Sequence, residues 1–204
     1  MNKEEEKELF EYLKEYYQDK FDNFKPKDKP DFQNEIDNIG VEITEAITEE
    51  LGEKNAFSHK ALKCKNKQEV SCVYKGKYKD NVIYNDEGIP FGFWDVGDNN
   101  SEYPYCEDLI YKAISDKLEK LNKPNLYQIF NTNVLLIFCN DVFLGGDYAD
   151  IEYIQNNIVK NIKEIEKSYD RNFNEYLFLR LTNPVRLFIV DKEYKVTLHL
   201  INDK

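Results

Sequence analysis

The sequence predicts an α/β (α+β) fold in which helices flank a mixed β-sheet. Apolar residues recur at helical spacing near residues 3–20, 105–121 and 151–167, which marks amphipathic helices. Val134-Leu135-Leu136-Ile137-Phe138 is a continuous apolar run of strand length, as a fully buried strand reads. The resulting order, α-β-β-α-β-α-β-β-β, mixes crossovers with hairpins and so implies a mixed sheet.

The first helix spans about Lys3 to Lys20, with Leu9, Leu13, Tyr16 and Lys20 on one face and Phe10, Tyr17 and Phe21 beside it. Glutamates crowd its start, where the helix dipole favours negative charge. Pro26 and Pro30 stop it and extend the chain. Two strands follow, Asp31 to Ile36 and Ile39 to Thr44, joined at Asp37-Asn38. A two-residue turn there sets Ile36 opposite Ile39, Gln33 opposite Glu42 and Asp31 opposite Thr44. Because side chains alternate, Asp31, Gln33, Glu42 and Thr44 share one face; Phe32, Ile39, Val41 and Ile43 share the other.

Glu45 to Leu62 reads as helical with a break near Gly52, and Val70 to Tyr74 and Asn81 to Tyr84 read as β-prone. Residues 95–104 form a loop rich in Gly, Asn and Asp. In the helix from Tyr105 to Leu121, Leu109, Ala113, Asp116 and Lys120 lie near one stripe, and Ile110, Ile114, Lys117 and Leu121 form another. After the central strand region Tyr127 to Cys139, a loop with Gly145-Gly146 leads to a helix, Ile151 to Lys167. Tyr176 to Leu181, Val185 to Val190 and Tyr194 to Leu200 are the closing strands. At 204 residues and 24.3 kDa the chain suits a single domain, 1–204. Its core elements lie near 3–44 and 105–200, with an inserted lysine-rich segment, 54–104.

Composition narrows the function. With 41% apolar and 14% aromatic residues the chain has the means to build a core. A net charge of −11 excludes a passive DNA-coating protein, which would carry a basic footprint. The charged first residues, Met1 to Glu8, and the lack of a long apolar run predict a cytoplasmic protein with no membrane contact. Cys64, Cys72, Cys106 and Cys139 form no Cys-x-x-Cys pair and His59 and His199 lie far apart, so zinc is not expected. Neither Gly145-Gly146 nor Ser58-His59 has the spacing of a phosphate loop or a nucleophile elbow. Phe91-Gly92-Phe93-Trp94-Asp95 reads as a core cap or a binding lid.

The hairpin carries the chemistry. Two carboxylates on adjacent strands, Asp31 and Glu42, can share a Mg2+ (or Mn2+) ion, and the Ile43 carbonyl can complete the set. Such an ion both activates water and neutralises a phosphate. A first-helix carboxylate, Glu11 or Glu15, could orient the water. The alternative is that the same acids only solvate the surface of an acidic interaction protein.

These residues carry a resemblance. The first helix, Pro30-Asp31-Phe32, the strand Ile39-Gly40-Val41-Glu42-Ile43-Thr44, a later helix with spaced lysines and the apolar strand at 134–138 resemble the PD-(D/E)xK nuclease superfamily. The pairing of Pro-Asp-Phe with Gly-Val-Glu-Ile-Thr also resembles that of small bacterial and phage proteins, and the resemblance covers about half the chain. The resemblance implies a restriction-endonuclease-like core and Mg2+-dependent hydrolysis of DNA. It matches Asp31 to the motif Asp, Glu42 to the motif Glu, and Glu11 ahead of Glu15 to the helix carboxylate.

Thr44 stands where the motif has lysine, and threonine carries no charge. A lysine from elsewhere would have to replace it: Lys117 first, with Lys60 and Lys120 behind. Gln33 would point into the same cleft and donate to phosphate or water. The lysine-rich stretch from Lys54 to Lys79, interleaved with Tyr74 and Tyr78, is the expected DNA-facing arm. If no lysine reaches the acids, a catalytically inactive nuclease-like binding or regulatory protein remains, as a homodimer or beside a partner protein.

Overall fold

A computed structural model describes residues 1–47, 49–93, 106–139, 151–182 and 184–201. The expected loop at 95–104, Trp94-Asp95 and Gly145-Gly146 lie outside the described residues. Helix α1 (Lys3–Glu11) begins at a capping box: the Asn2 side chain accepts from the N–H groups of Glu4 and Glu5, and Glu5 returns a bond to the Asn2 N–H. The expected helix over 3–20 is not continuous. It tightens after Glu11, where Leu13 N–H bonds to Phe10 O at 2.9 Å, and resumes as α2 (Lys14–Tyr17) and a 3₁₀ turn over Gln18–Asn23.

Strand β2 (Phe32–Asn34) pairs antiparallel with both β1 (Lys25–Pro26) and β3 (Ile39–Glu45). The register differs from the two-residue expectation: Phe32 faces Val41, Gln33 faces Gly40 and Asn34 faces Ile39. The turn is four residues long because the Asn34 side chain organises it, accepting from the N–H groups of Ile36 (3.1 Å) and Asp37 (2.9 Å). The slip is an even number of residues, so each side chain keeps its face.

Residues Ile47–Tyr103 form a compact unit of their own. It contains α3 (Glu49–Ala61), α4 (Lys67–Cys72), and the hairpin β4 (Val82–Tyr84) and β5 (Pro90–Phe93). Its core is Phe57, Ala61, Val70, Tyr78 and Val82. Helix α3 runs through Gly52 without the expected break. The segment expected as a strand over 70–74 is helical up to Cys72, because Asn66 caps α4 and Val70 alone needs burial.

The rest of the chain, Met1–Ala46 and Pro104–Lys204, is the larger unit. Helix α5 (Cys106–Asn122) leads to β6 (Thr132–Phe138). Helices α6 (Ile151–Tyr153) and α7 (Val159–Glu166) are joined by a π-turn over Ile154–Ile158. Strands β7 (Glu175–Arg180), β8 (Val185–Val190) and β9 (Val196–Ile201) complete a seven-stranded sheet of order β1-β2-β3-β6-β7-β8-β9. The pairs β3–β6 and β6–β7 are parallel and the others antiparallel. Strand β9 starts at Val196, because Tyr194 takes a positive φ in the turn before it.

The fold is therefore mixed α/β, with helices on both faces of a mixed sheet. Leu135, Ile137, Tyr176, Phe178 and Phe188 pack under Ile110, Ile114, Leu118 and Leu121 of α5 and Ile162 of α7. Val134, Leu136, Leu177, Leu187 and Ile189 pack under Leu9, Phe10, Leu13 and Tyr17 on the other side. The apolar hairpin residues Phe32, Ile39, Val41 and Ile43 join this second layer, which turns Glu42 toward the α5 side. Among the described residues no helix is long and apolar enough to cross a membrane.

Candidate active site

The site forms where β2 ends early. Strand pairing stops at Phe32–Val41, so the Ile43 N–H and C=O beyond it have no backbone partner from β2. Side chains take both. Asp31 Oδ2 accepts from the Ile43 N–H at 2.9 Å, and the Ile43 carbonyl accepts from Lys117 Nζ at 3.1 Å. Asp31 lies one residue before Phe32 and thus opposite Glu42. Both acids are buried, at 8% and 5% exposure.

Gly40 fixes the approach to this end of the hairpin. A Cβ there would lie 2.6 Å from the Phe130 ring and 2.7 Å from the Pro30 ring. Only glycine lets Pro30, and with it Asp31, sit down on β3.

Each carboxylate has its own lysine. Lys117 Nζ donates to Glu42 Oε1 as well as to the Ile43 carbonyl. Lys3, at the start of α1, donates to Asp31 Oδ1 at 2.8 Å and pairs with Glu6 at 2.8 Å. Burial works against the Lys3 charge, but its bonds to Asp31 and Glu6 hold the ammonium pKa above its ordinary value.

Glu42 is the least satisfied member. Burial raises its carboxyl pKa; the Lys117 charge opposes that rise and the Asp31 charge adds to it. The Tyr127 hydroxyl faces the same carboxylate, and burial followed by the Glu42 charge pushes that phenol far up. Yet neither Glu42 Oε2 nor the Tyr127 hydroxyl, both sealed from solvent, has a hydrogen-bond partner of ordinary geometry.

Of the residues singled out in the sequence, Asp31, Glu42, Ile43 and Lys117 therefore meet. Gln33 is buried on their face of the hairpin, but its amide donates to the Pro30 carbonyl at 3.2 Å. Thr44 is half-buried two residues beyond Glu42. Glu11 and Glu15 are exposed; the α1 carboxylate linked to Asp31, through Lys3, is Glu6. Lys120 is exposed on α5, and Lys60 is exposed on α3 in the smaller unit. Lys3, Glu6 and Tyr127 escaped sequence reasoning. Lys3 and Asp31 are 28 residues apart and no local pattern joins them.

Tyr78 is a correction to the expected DNA-facing arm. It is buried in the core of the smaller unit, edge-on to Phe57, and its hydroxyl donates to Glu53 at 3.1 Å. It offers no face to a base. The side chain of Tyr74 lies outside the described residues.

Among the described residues no group of three or more His, Cys, Asp or Glu side chains gathers as metal ligands would. The site offers two carboxylates and one backbone carbonyl. Compared with family models, with curated proteins and with solved structures, the chain matches none.

Proposed function

We propose that the protein is a cytoplasmic Mg2+-dependent (or Mn2+-dependent) nuclease that hydrolyses phosphodiester bonds in DNA on a restriction-endonuclease-like core. The observation that carries this reading is the reach of Lys117 from α5 to both Glu42 and the Ile43 carbonyl, beside Asp31. A charge borne by a helix stands in for the one Thr44 lacks.

The donor set fits the metal. Its atoms are all hard oxygens, which suit Mg2+. Glu42 Oε2 is a buried acceptor that faces the Tyr127 hydroxyl without a bond of ordinary geometry, so it has capacity for a further partner. Asp31, Glu42 and the Ile43 carbonyl would hold the ion, which when bound supplies charge neutralisation and an acidified water. The Ile43 N–H orients the Asp31 carboxylate. The Lys117 ammonium donates to phosphate oxygens as their negative charge grows. Exposed lysines of the 54–79 stretch, Lys67 and Lys75 among them, offer positive charge to a nucleic-acid backbone.

One observation favours a second reading, a nuclease-like binding or regulatory protein without catalysis. Lys3 and Lys117 already neutralise Asp31 and Glu42, so the four charges can stand as a closed structural network.

Thermal melting and DNA cleavage separate the two. The nuclease reading expects Mg2+ or Mn2+ to raise the melting temperature, and Asp31→Ala to remove that rise. It also expects Mg2+-dependent cleavage of plasmid or single-stranded DNA. Asp31→Ala abolishes that cleavage, and Lys117→Met slows it by roughly 10²–10³-fold, the usual cost of one electrostatic donor. A metal response without cleavage supports the second reading. No metal response and no cleavage overturns both.

A further inference from the structure

The two lysines do not sit beside the proposed metal ligands; they occupy them. Lys117 Nζ is bonded to Glu42 Oε1 and to the Ile43 carbonyl, and Lys3 Nζ to Asp31 Oδ1. A divalent cation drawn to these oxygens must displace both ammonium groups.

The two displacements differ. The Lys3 side chain is 63% exposed and keeps Glu6 as a second partner, so it can leave Asp31 for water. The Lys117 side chain is 14% exposed, and an ammonium that loses its partner at such depth is strongly disfavoured.

The charge count says what would relieve it. Asp31, Glu42 and Glu6 face Lys3 and Lys117, leaving one net negative charge. A divalent cation turns this into one net positive charge, with Lys117 unpaired. A single phosphodiester carries one negative charge and two free oxygens, which cancels the excess and gives Lys117 new acceptors.

We propose that Lys3 and Lys117 are placeholder cations, which keep the carboxylates paired until a divalent cation and a phosphodiester bind together and then pass to the phosphate oxygens. This rests on the metal-dependent reading above and adds a regulation to it: the site takes up metal poorly until substrate is present. By linkage, metal tightens the phosphodiester by the same factor.

Titration calorimetry of the full chain with Mn2+, alone and with saturating dimethyl phosphate, tests this. Dimethyl phosphate is a phosphodiester too inert to turn over. Wild type should bind Mn2+ weakly alone and about tenfold more tightly with dimethyl phosphate, within the usual range of such couplings. Lys117→Met should bind Mn2+ alone about tenfold more tightly than wild type and lose most of the dimethyl phosphate gain, as a competitor's removal requires.

Lys3→Met should gain roughly two- to threefold, as befits an exposed pair, and it serves if Lys117→Met does not fold. Lys120→Met, on the same helix but exposed, controls for simple loss of charge and should change nothing. A lysine with a merely structural role would weaken the site when lost, so a gain in affinity is the diagnostic result. Suppose Mn2+ binds wild type and is lost in Asp31→Ala, while neither lysine variant binds more tightly: the placeholder role is then overturned and the metal site stands. Absence of Mn2+ binding in wild type and variants overturns both.

Discussion

Two glutamates of the larger unit, Glu42 and Glu166, are each only 5% exposed, yet they are satisfied in opposite ways. Both oxygens of Glu166 accept tyrosine hydroxyls, Oε1 from Tyr176 at 2.7 Å and Oε2 from Tyr194. Neutral donors from β7 and the turn before β9 thus tie the end of α7 to the sheet, and burial with the Glu166 charge pushes the Tyr194 phenol up to about 12. Glu42 has one oxygen on a lysine that it shares with a backbone carbonyl, and its other oxygen faces the Tyr127 hydroxyl without a bond of ordinary geometry. Equal burial therefore does not mean equal purpose. A closed set of neutral bonds ties Glu166 into the fold, whereas the Glu42 carboxylate is held by a single charged partner, as the proposed metal exchange requires.

Removing each glutamate should separate the two roles. Glu166→Leu leaves the deeply buried Tyr176 hydroxyl without its acceptor and frees Tyr194. The expected loss is about 2–4 kcal/mol of stability, read from the urea midpoint, with any DNA cleavage by the folded fraction unchanged. The matching change at the site is the pair Glu42→Leu with Lys117→Met, which removes both charges at once. Replacing a buried ion pair by apolar groups is often neutral or stabilising by about 1–4 kcal/mol, which offsets the roughly 1–3 kcal/mol of the Ile43 carbonyl left bare, so the double variant should melt near wild type and lose its response to Mn2+. If instead it unfolds while Glu166→Leu is tolerated, the two glutamates have exchanged roles and the comparison fails.

Much of this site was legible because it depends on periodicity. Alternation placed Asp31, Gln33, Glu42 and Thr44 on one face, and that survived a turn two residues longer than expected. The turn itself was the harder part, since its length comes from side-chain bonds made by Asn34. The sequence offers two stripes on α5, one with Lys117 and one with Lys120, and the structure buries the one with Ile110, Ile114 and Leu121, which brings Lys117 to the site. The resemblance favours Glu11 as the helix carboxylate, yet Glu11 is exposed and the carboxylate linked to Asp31 is Glu6. The helix packs its middle, Leu9 and Phe10, on the opposite face of the sheet, and only its first turn reaches Asp31. Lys3 and Glu6 follow from that packing and from nothing local in the chain.

The route by which Asp31 is placed gives a smaller effect. Gly40→Ala puts a methyl group into the Phe130 and Pro30 rings, both buried. Overpacking of this kind costs about 1–3 kcal/mol, read as a lower urea midpoint. Because Pro30 carries Asp31, the variant should also weaken Mn2+ binding, which Glu166→Leu should not. Equal metal affinity in Gly40→Ala and wild type would show that the Asp31 position does not depend on this contact.

A third glutamate lies between the two extremes and yields the mildest change. Glu175 is half-buried, and its Oε2 accepts from the Tyr16 hydroxyl at 3.0 Å. Burial raises its carboxyl pKa above 4.5; the Tyr16 bond opposes this and the nearby Asp191 charge adds to it. A raised carboxyl pKa means that the folded state holds the proton more tightly than the unfolded chain does. The stability linked to Glu175 is then fully present below pH 4.5 and is lost as pH rises through the folded value. Glu175→Gln keeps an acceptor for Tyr16 and removes the charge. Its melting temperature should exceed that of wild type at neutral pH, and the gap should close as pH falls toward 4.5. A gap that persists unchanged at low pH would mean that the difference does not come from the Glu175 charge.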